Sequence, residues 1–291
     1  MTLDAWRDAG RWHRHGEHAI FHRDEGAGPA ILCIHGFPTA SWDWHRLWAR
    51  LTVRHRVVAP DLIGFGFSAK PRPYPYSIFD QATLCESLLA ALGVNDVVVL
   101  AHDYGDTVAQ ELLARHDERR GAGLRLRGVC LLNGGLFPEA HRALPVQKLM
   151  ASPLGPLLGR LSTPGRFRAS LASVFGPHTQ PTRAELDDFA RLVRHHDGGG
   201  ITHRLLGYLD ERRRHRARWV GALERTAVPL RLVDGALDPV SGRHMAERYR
   251  QLVPDPDVVV LDDVGHYPQV EAPDAVWTAF ADFLAHRVPP S

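Results

Sequence analysis

The chain is poor in cysteine, with 3, and only two of its 35 basic residues, Lys70 and Lys148, are lysines. It also lacks an excess of either sign of charge. The 35 basic residues face 33 acidic ones, leaving a formal net charge of +2 at pH 7. Without a positive field, general nucleic-acid binding is excluded, and the arginine excess reads as compositional. No apolar run approaches the ~20 residues of a membrane-spanning helix. The opening stretch, MTLDAWRDAGRWHRHGEHAI, has no apolar core of signal-peptide length, so the expected location is the cytoplasm, away from membranes. The cysteines agree. Cys33 and Cys130 sit in strand-like runs and Cys85 in a helical pattern, which reads as scattered buried thiols rather than a disulfide framework. None stands at a turn beside a base, so none reads as a nucleophile. With 44% hydrophobic and 23% charged residues, disorder is excluded and a sizeable core is expected.

What is present is an alternation of strands and helices. WHRHGEHAIFHR reads as a hairpin turning at Gly16, and AILCI (30–34) and RHRVVAP (54–60) read as buried strands. A helical period over 78–92 ends at Gly93, DVVVLA (96–101) is a buried strand, and a helix at 105–116 and a strand at 126–132 follow. Residues 136–220 are helical and rich in Pro and Gly, with no convincing buried strand. The alternation then resumes with PLRLVDG (229–235), a helix near 241–252, VVVLDD (258–263) and a helix near 273–286. The expected class is α/β, a mostly parallel sheet with helices on both faces. Its domains are a core of 1–135 and 221–291 with a helical cap, 136–220, over the strands' C-terminal edge, where such sheets bind ligands.

After DVVVLA comes Ala101-His102-Asp103-Tyr104-Gly105, a strand-to-helix elbow with small residues at both flanks. The central side chain is Asp103, and free N–H groups and the positive dipole end of the following helix favour its ionised form. An ionised carboxylate attacks without a base. On an ester carbonyl it yields a reactive anhydride, whereas on an sp³ carbon with a leaving group it yields an alkyl ester that water can hydrolyse. His35-Gly36-Phe37-Pro38 follows AILCI, and the N–H groups of Phe37 and Tyr104 are placed to form an oxyanion hole. Asp238, in GALDP, and His266, in DVGHYPQVEAP, each follow a buried strand. The order nucleophile, acid, histidine makes His266 the base on water and Asp238 the group that orients its ring. Asp234 competes as the acid but lies at the strand end, and Asp262 and Asp263 precede His266 too closely.

These pieces, with DLIGFGFS at 61 and GHYPQVEAPD at 265, resemble the α/β-hydrolase superfamily, specifically its Asp-nucleophile branch of epoxide hydrolases and haloalkane dehalogenases. NGGLFPEAHRALPVQKL, FGPHTQP, HHDGG, RARWVGAL and DGALDPV are similar to the mesoderm-specific transcript group and its bacterial relatives, which are epoxide-hydrolase-like. The resemblance implies a catalytic triad of Asp103, His266 and Asp238, and the mechanism these residues suggest needs no cofactor.

The leaving group separates the two chemistries. An epoxide oxygen needs a proton donor, and Tyr208, the lone cap tyrosine, resembles one ring-opening tyrosine of epoxide hydrolases. His141 is a conceivable substitute for the missing second tyrosine. Halide needs N–H donors from Trp or Asn, yet position 104 is Tyr and position 37 is Phe where dehalogenases carry Trp and Asn. Trp219, Trp42, Trp44 and Asn133 remain possible donors, although packing explains the tryptophans more simply. His35, Pro38, Trp219 and Asn133 are candidate substrate contacts. The expectation is an epoxide hydrolase, with dehalogenation or slow, non-catalytic ligand binding as alternatives. The expected partner is a small hydrophobic molecule, and the chain a monomer or homodimer.

Three signals carry no function in this reading. His13, His15, His18 and His22 lack metal-like spacing. ERRRHRAR (211–218) reads as a solvated cap helix. The DLIGFGFS glycines miss the dinucleotide fingerprint.

Overall fold

In the computed structural model, residues 1–120, 122–152, 155, 159 and 163–289 are described. Eight strands form one sheet: β1 (Arg11–His15), β2 (His18–Glu25), β3 (Ala30–Ile34), β4 (Arg56–Pro60), β5 (Asp96–His102), β6 (Arg125–Leu132), β7 (Leu230–Gly235) and β8 (Val258–Leu261). Their order is β1-β2-β4-β3-β5-β6-β7-β8. The first hairpin and its junction with β4 are antiparallel, and the remaining neighbours are parallel.

The continuous apolar runs are explained by burial on both faces. In β3, Ile31 and Cys33 enter one core while Leu32 and Ile34 enter the other. Val98 and Leu100 of β5, and Cys130 and Leu132 of β6, join the first. Val97, Val99 and Ala101, with Val129 and Leu131, join the second. All three cysteines are free and buried. Local chemistry sets the helix ends. The Ser77 hydroxyl accepts from the Asp80 N–H at the start of the helix Ile78–Ala91, and Gly93 takes φ 70° just beyond it.

The sheet order places the site. From β3 the chain steps to β4 on one side and then returns to β5 on the other. The crevice between the carboxyl ends of β3 and β5 is therefore a topological switch point. The HGFP turn leaves β3 there, and Asp103 leaves β5.

Between β6 and β7 lie helices including Pro145–Met150, Pro164–Ala172, Arg183–Arg194, Tyr208–Arg214 and Arg216–Arg225. The last crosses position 220 and lies along the helix Tyr104–Glu118, with Arg218 and Trp219 bonded to Glu111. The boundary read at 220 thus falls inside a helix that flanks the sheet. The other expected strands and helices differ only at their ends, and the helices Leu3–Asp8, Trp48–Leu51 and Pro268–Glu271 were not expected. No described helix is long and apolar enough to cross a membrane.

Candidate active site

Asp103 sits at the elbow with φ 46° and ψ −102°, outside the regions a non-glycine residue favours. Such strain needs close packing to hold it, and two glycines supply that. A β-carbon on Gly105 would lie 2.4 Å from the Ile34 carbonyl, and one on Gly36 would lie 2.5 Å from His102 Nδ1 and 3.1 Å from Asp103 Cβ. HGFP and the elbow therefore interlock through bare backbone.

The N–H of Phe37 donates to Asp103 Oδ2 at 3.1 Å. His266 Nε2 stands 3.8 Å from the same oxygen, and His266 Nδ1 donates to Asp238 Oδ2 at 2.7 Å. All three side chains are nearly inaccessible. Asp238 also accepts from the Val240 N–H (2.7 Å), the Ser241 hydroxyl (2.9 Å) and Asn133 Nδ2 (3.1 Å). Asp234 makes none of these contacts.

The His266 loop is pinned by Glu271, which accepts from the N–H groups of Gly265 (2.7 Å) and Tyr267 (2.8 Å). His102 Nε2 donates to the His266 carbonyl at 2.7 Å. Asp43 lies behind His102, its carboxylate 3.9 Å from Nδ1. Burial pushes the Asp43 carboxyl up to about 8 and the His102 ring down to about 3, so both are neutral near pH 7.

At the site itself, charge outweighs burial. Burial opposes ionisation of Asp103, but His266 and then Arg212 hold it well below the usual carboxylate range. Burial also opposes the His266 imidazolium, yet Asp238 and Asp103 raise it well above an ordinary histidine. A raised value means the ion triad stabilises the fold fully below the unfolded pKa of ~6.5 and loses that contribution as pH climbs through the folded value. The melting-temperature gap between the wild type and His266→Gln should therefore be widest below ~6.5 and narrow on the alkaline side. A gap that widens with pH would contradict this.

A cavity of about 420 Å³ opens above these residues. Phe37, Pro38, His266 and Tyr267 line it from the core, and Leu144, Met150, Phe167, Leu171 and Leu206 from the insertion. Its wall is mostly apolar, which suits a hydrophobic guest.

The other sequence-derived candidates fall in different places. Pro38 lines the cavity. His35 does not; it is wholly buried, with Nε2 accepting from the Leu62 N–H (3.0 Å) and Nδ1 donating to Gly36 O (2.8 Å). Asn133 is turned from the insertion toward β7, where it accepts from the Gly235 N–H at 2.7 Å and supports Asp238. Trp219 Nε1 is spent on Glu111 at 2.8 Å, and Trp42 is stacked on His45. Neither they nor Trp44 line the cavity. On the first hairpin, His13 bonds Ser87 and His15 bonds Asp80.

Tyr208 is buried, its ring 5.0 Å from that of Tyr104 and 6.0 Å from that of Phe37. Its hydroxyl has no partner among the described residues, and neither ring nitrogen of His141 has one. Burial, more than the nearby Arg212 cation, pushes the His141 ring down to about 3.

Sequence reasoning missed three groups. Arg212, within the stretch read as solvated, is only 2% exposed, and its Nη2 donates to the Asp103 carbonyl at 3.1 Å. Ser241 and Glu271 fix the acid and histidine loops. The helical period held a signal for Arg212, because positions 205, 208 and 212 share one face with two apolar residues. Ser241 and Glu271 had no such signal.

Chemically, the arrangement is an ionised carboxylate beneath an apolar cavity, with a carboxylate-oriented imidazole beside it. Comparison with known proteins shows the family and the fold. Residues 29–273 match the model of the alpha/beta hydrolase fold family. Mesoderm-specific transcript protein of Mus musculus is 43% identical over 97% of this chain and 88% of its own length. The putative hydrolase LipZ of Mycobacterium tuberculosis is 41% identical over 97% and 98%. The crystal structure of the haloalkane dehalogenase DbeA from Bradyrhizobium elkanii superposes with a TM-score of 0.78 at 22% identity, covering 95% of this chain and 97% of that one.

Proposed function

Since the chain belongs to the alpha/beta hydrolase family, we propose that it hydrolyses an epoxide to a diol through an alkyl ester on Asp103. Asp103 Oδ1 bonds to the epoxide carbon, the carbon–oxygen bond breaks, and Tyr208 gives its proton to the leaving oxygen. Esterification removes one of the two charges that hold the His266 imidazolium, so the ring releases its proton to solvent and becomes a base, and it takes one back from solvent when the Asp103 carboxylate is restored. It then takes a proton from water, and the hydroxide attacks the ester carbonyl. The N–H groups of Phe37 and Tyr104 hold the oxyanion. The alkoxide released from the ester takes the proton from His266, and the Asp103 carboxyl returns its own to Tyr208.

The observation that carries this reading is the Tyr208 hydroxyl, buried and unpartnered among the described residues, on a ring packed against those of both Phe37 and Tyr104. Of the two donors considered, it suits the role better than His141, whose ring is neutral near pH 7 and keeps only a weakly acidic N–H. The helical insertion acts as the cap that confines a small hydrophobic substrate.

Incubation with a panel of epoxides and alkyl halides tests this. Diol is expected, without halide release. Halide release without diol assigns dehalogenation instead, and neither product, with no covalent adduct, assigns a ligand binder. Tyr208→Phe should slow epoxide opening ~100-fold, as for loss of a general acid, and leave any halide displacement unaltered. Equal rates on epoxides would remove Tyr208 from the mechanism.

A further inference from the structure

We propose that the guanidinium of Arg212 holds the leaving atom as it takes up negative charge. The proposal rests on Asp103 being the nucleophile. Arg212 reaches the elbow from the helix Tyr208–Arg214. Its Nε donates to Thr107 Oγ1 at 2.7 Å, and its Nη2 lies 3.7 Å from Asp103 Oδ1. Its Nη1 has no partner among the described residues. A β-carbon on Gly135 would stand 2.2 Å from that Nη1 and 2.7 Å from His141 Nδ1, so the two nitrogens bracket the bare face of the glycine. The guanidinium also lies over the Tyr208 ring, 4.5 Å from its centroid. Unpaired polar atoms of Arg212, His141 and Tyr208 thus gather about Gly135 and the Tyr208 ring, with Arg212 linking them to Asp103.

The movement of charge gives this cluster its meaning. In the first step Oδ1 bonds to carbon, and the leaving atom departs with the electron pair of the broken bond. The negative charge of Asp103 passes to that atom. His266 keeps Asp238 at 2.7 Å throughout. Arg212 has no second carboxylate partner of that kind. Burial pushes the carboxyl of Asp106, behind Gly134, well above the usual carboxylate range, and Glu211 accepts from the Ile78 N–H. A cation this buried is stranded unless the charge arrives within its reach. The open donor, Nη1, marks where. The neutral His141 adds polar nitrogens beside it without a competing positive charge. A guanidinium does not give up its proton at working pH, so it stabilises the charge while Tyr208 supplies the proton.

The test uses the full chain with His266→Gln to block the water step, styrene oxide as probe, and protein mass to follow alkylation of Asp103. Arg212→Met should lower the alkylation rate ~100-fold, in the range of a lost transition-state donor, with substrate affinity little changed. Arg212→Lys should restore part of the rate. Gly135→Ala displaces Nη1 while leaving the cation in place, so it should slow alkylation even if Arg212→Met fails to fold. Equal alkylation rates with and without the guanidinium, or a loss confined to substrate affinity, overturn the assignment. Absence of any adduct with Arg212 intact overturns the Asp103 reading beneath it instead.

Discussion

His266→Gln should accumulate a covalent adduct on Asp103 when mixed with an epoxide. The two half-reactions make different demands on the site. Attack on carbon needs only an ionised carboxylate, and Asp103 is held ionised by cations on both sides. Release needs a proton taken from water, and His266, oriented by Asp238 at 2.7 Å, is the imidazole at that position. Glutamine approximates the shape of the ring without its basicity. The second half-reaction should fall ~10⁴-fold, about 5.5 kcal/mol of barrier, while the first proceeds. Mass spectrometry of intact protein should show a gain equal to one substrate molecule, and the peptide carrying residue 103 should contain it. Continued turnover at the wild-type rate would remove His266 from the mechanism.

Asp103→Ala should abolish turnover, with kcat/KM lower by ~10⁴-fold or more, because no other group replaces a lost nucleophile. The other acidic residues nearby do not substitute. Burial pushes the Asp106 carboxyl well above the usual carboxylate range, which disfavours the carboxylate, and Asp238 is committed to His266, Val240, Ser241 and Asn133. Steady-state assay of diol formation checks this, and circular dichroism confirms the fold. Substantial residual activity would mean that water is activated directly by His266 and that no ester forms.

How far the sequence disclosed this site follows from how locally each part is encoded. The elbow and the HGFP turn are short runs whose small residues are required by backbone contact, so the spacing alone reveals them. The buried strands are equally legible, since burial on both faces leaves continuous apolar runs. Asn133 was harder. It directly follows β6, but its φ of 45° directs the side chain toward the β7 loop, where it supports Asp238 instead of facing the insertion. Trp219 packs, as the simpler reading held, and is no substrate contact, because its helix lies against Tyr104–Glu118, which places Glu111 within reach of its N–H. Arg212 was hidden by its neighbours. Arg213 and Arg214 are exposed on the same helix, and one inward arginine in a charged run looks like the rest until its partners are known.

The covalent ester is tested most directly by one turnover of excess enzyme in ¹⁸O-labelled water. The first diol should carry no label and the isotope should appear on the carboxylate at position 103, because water attacks the protein's carbonyl carbon. Label found at once in the product, with the protein unlabelled, would contradict the account.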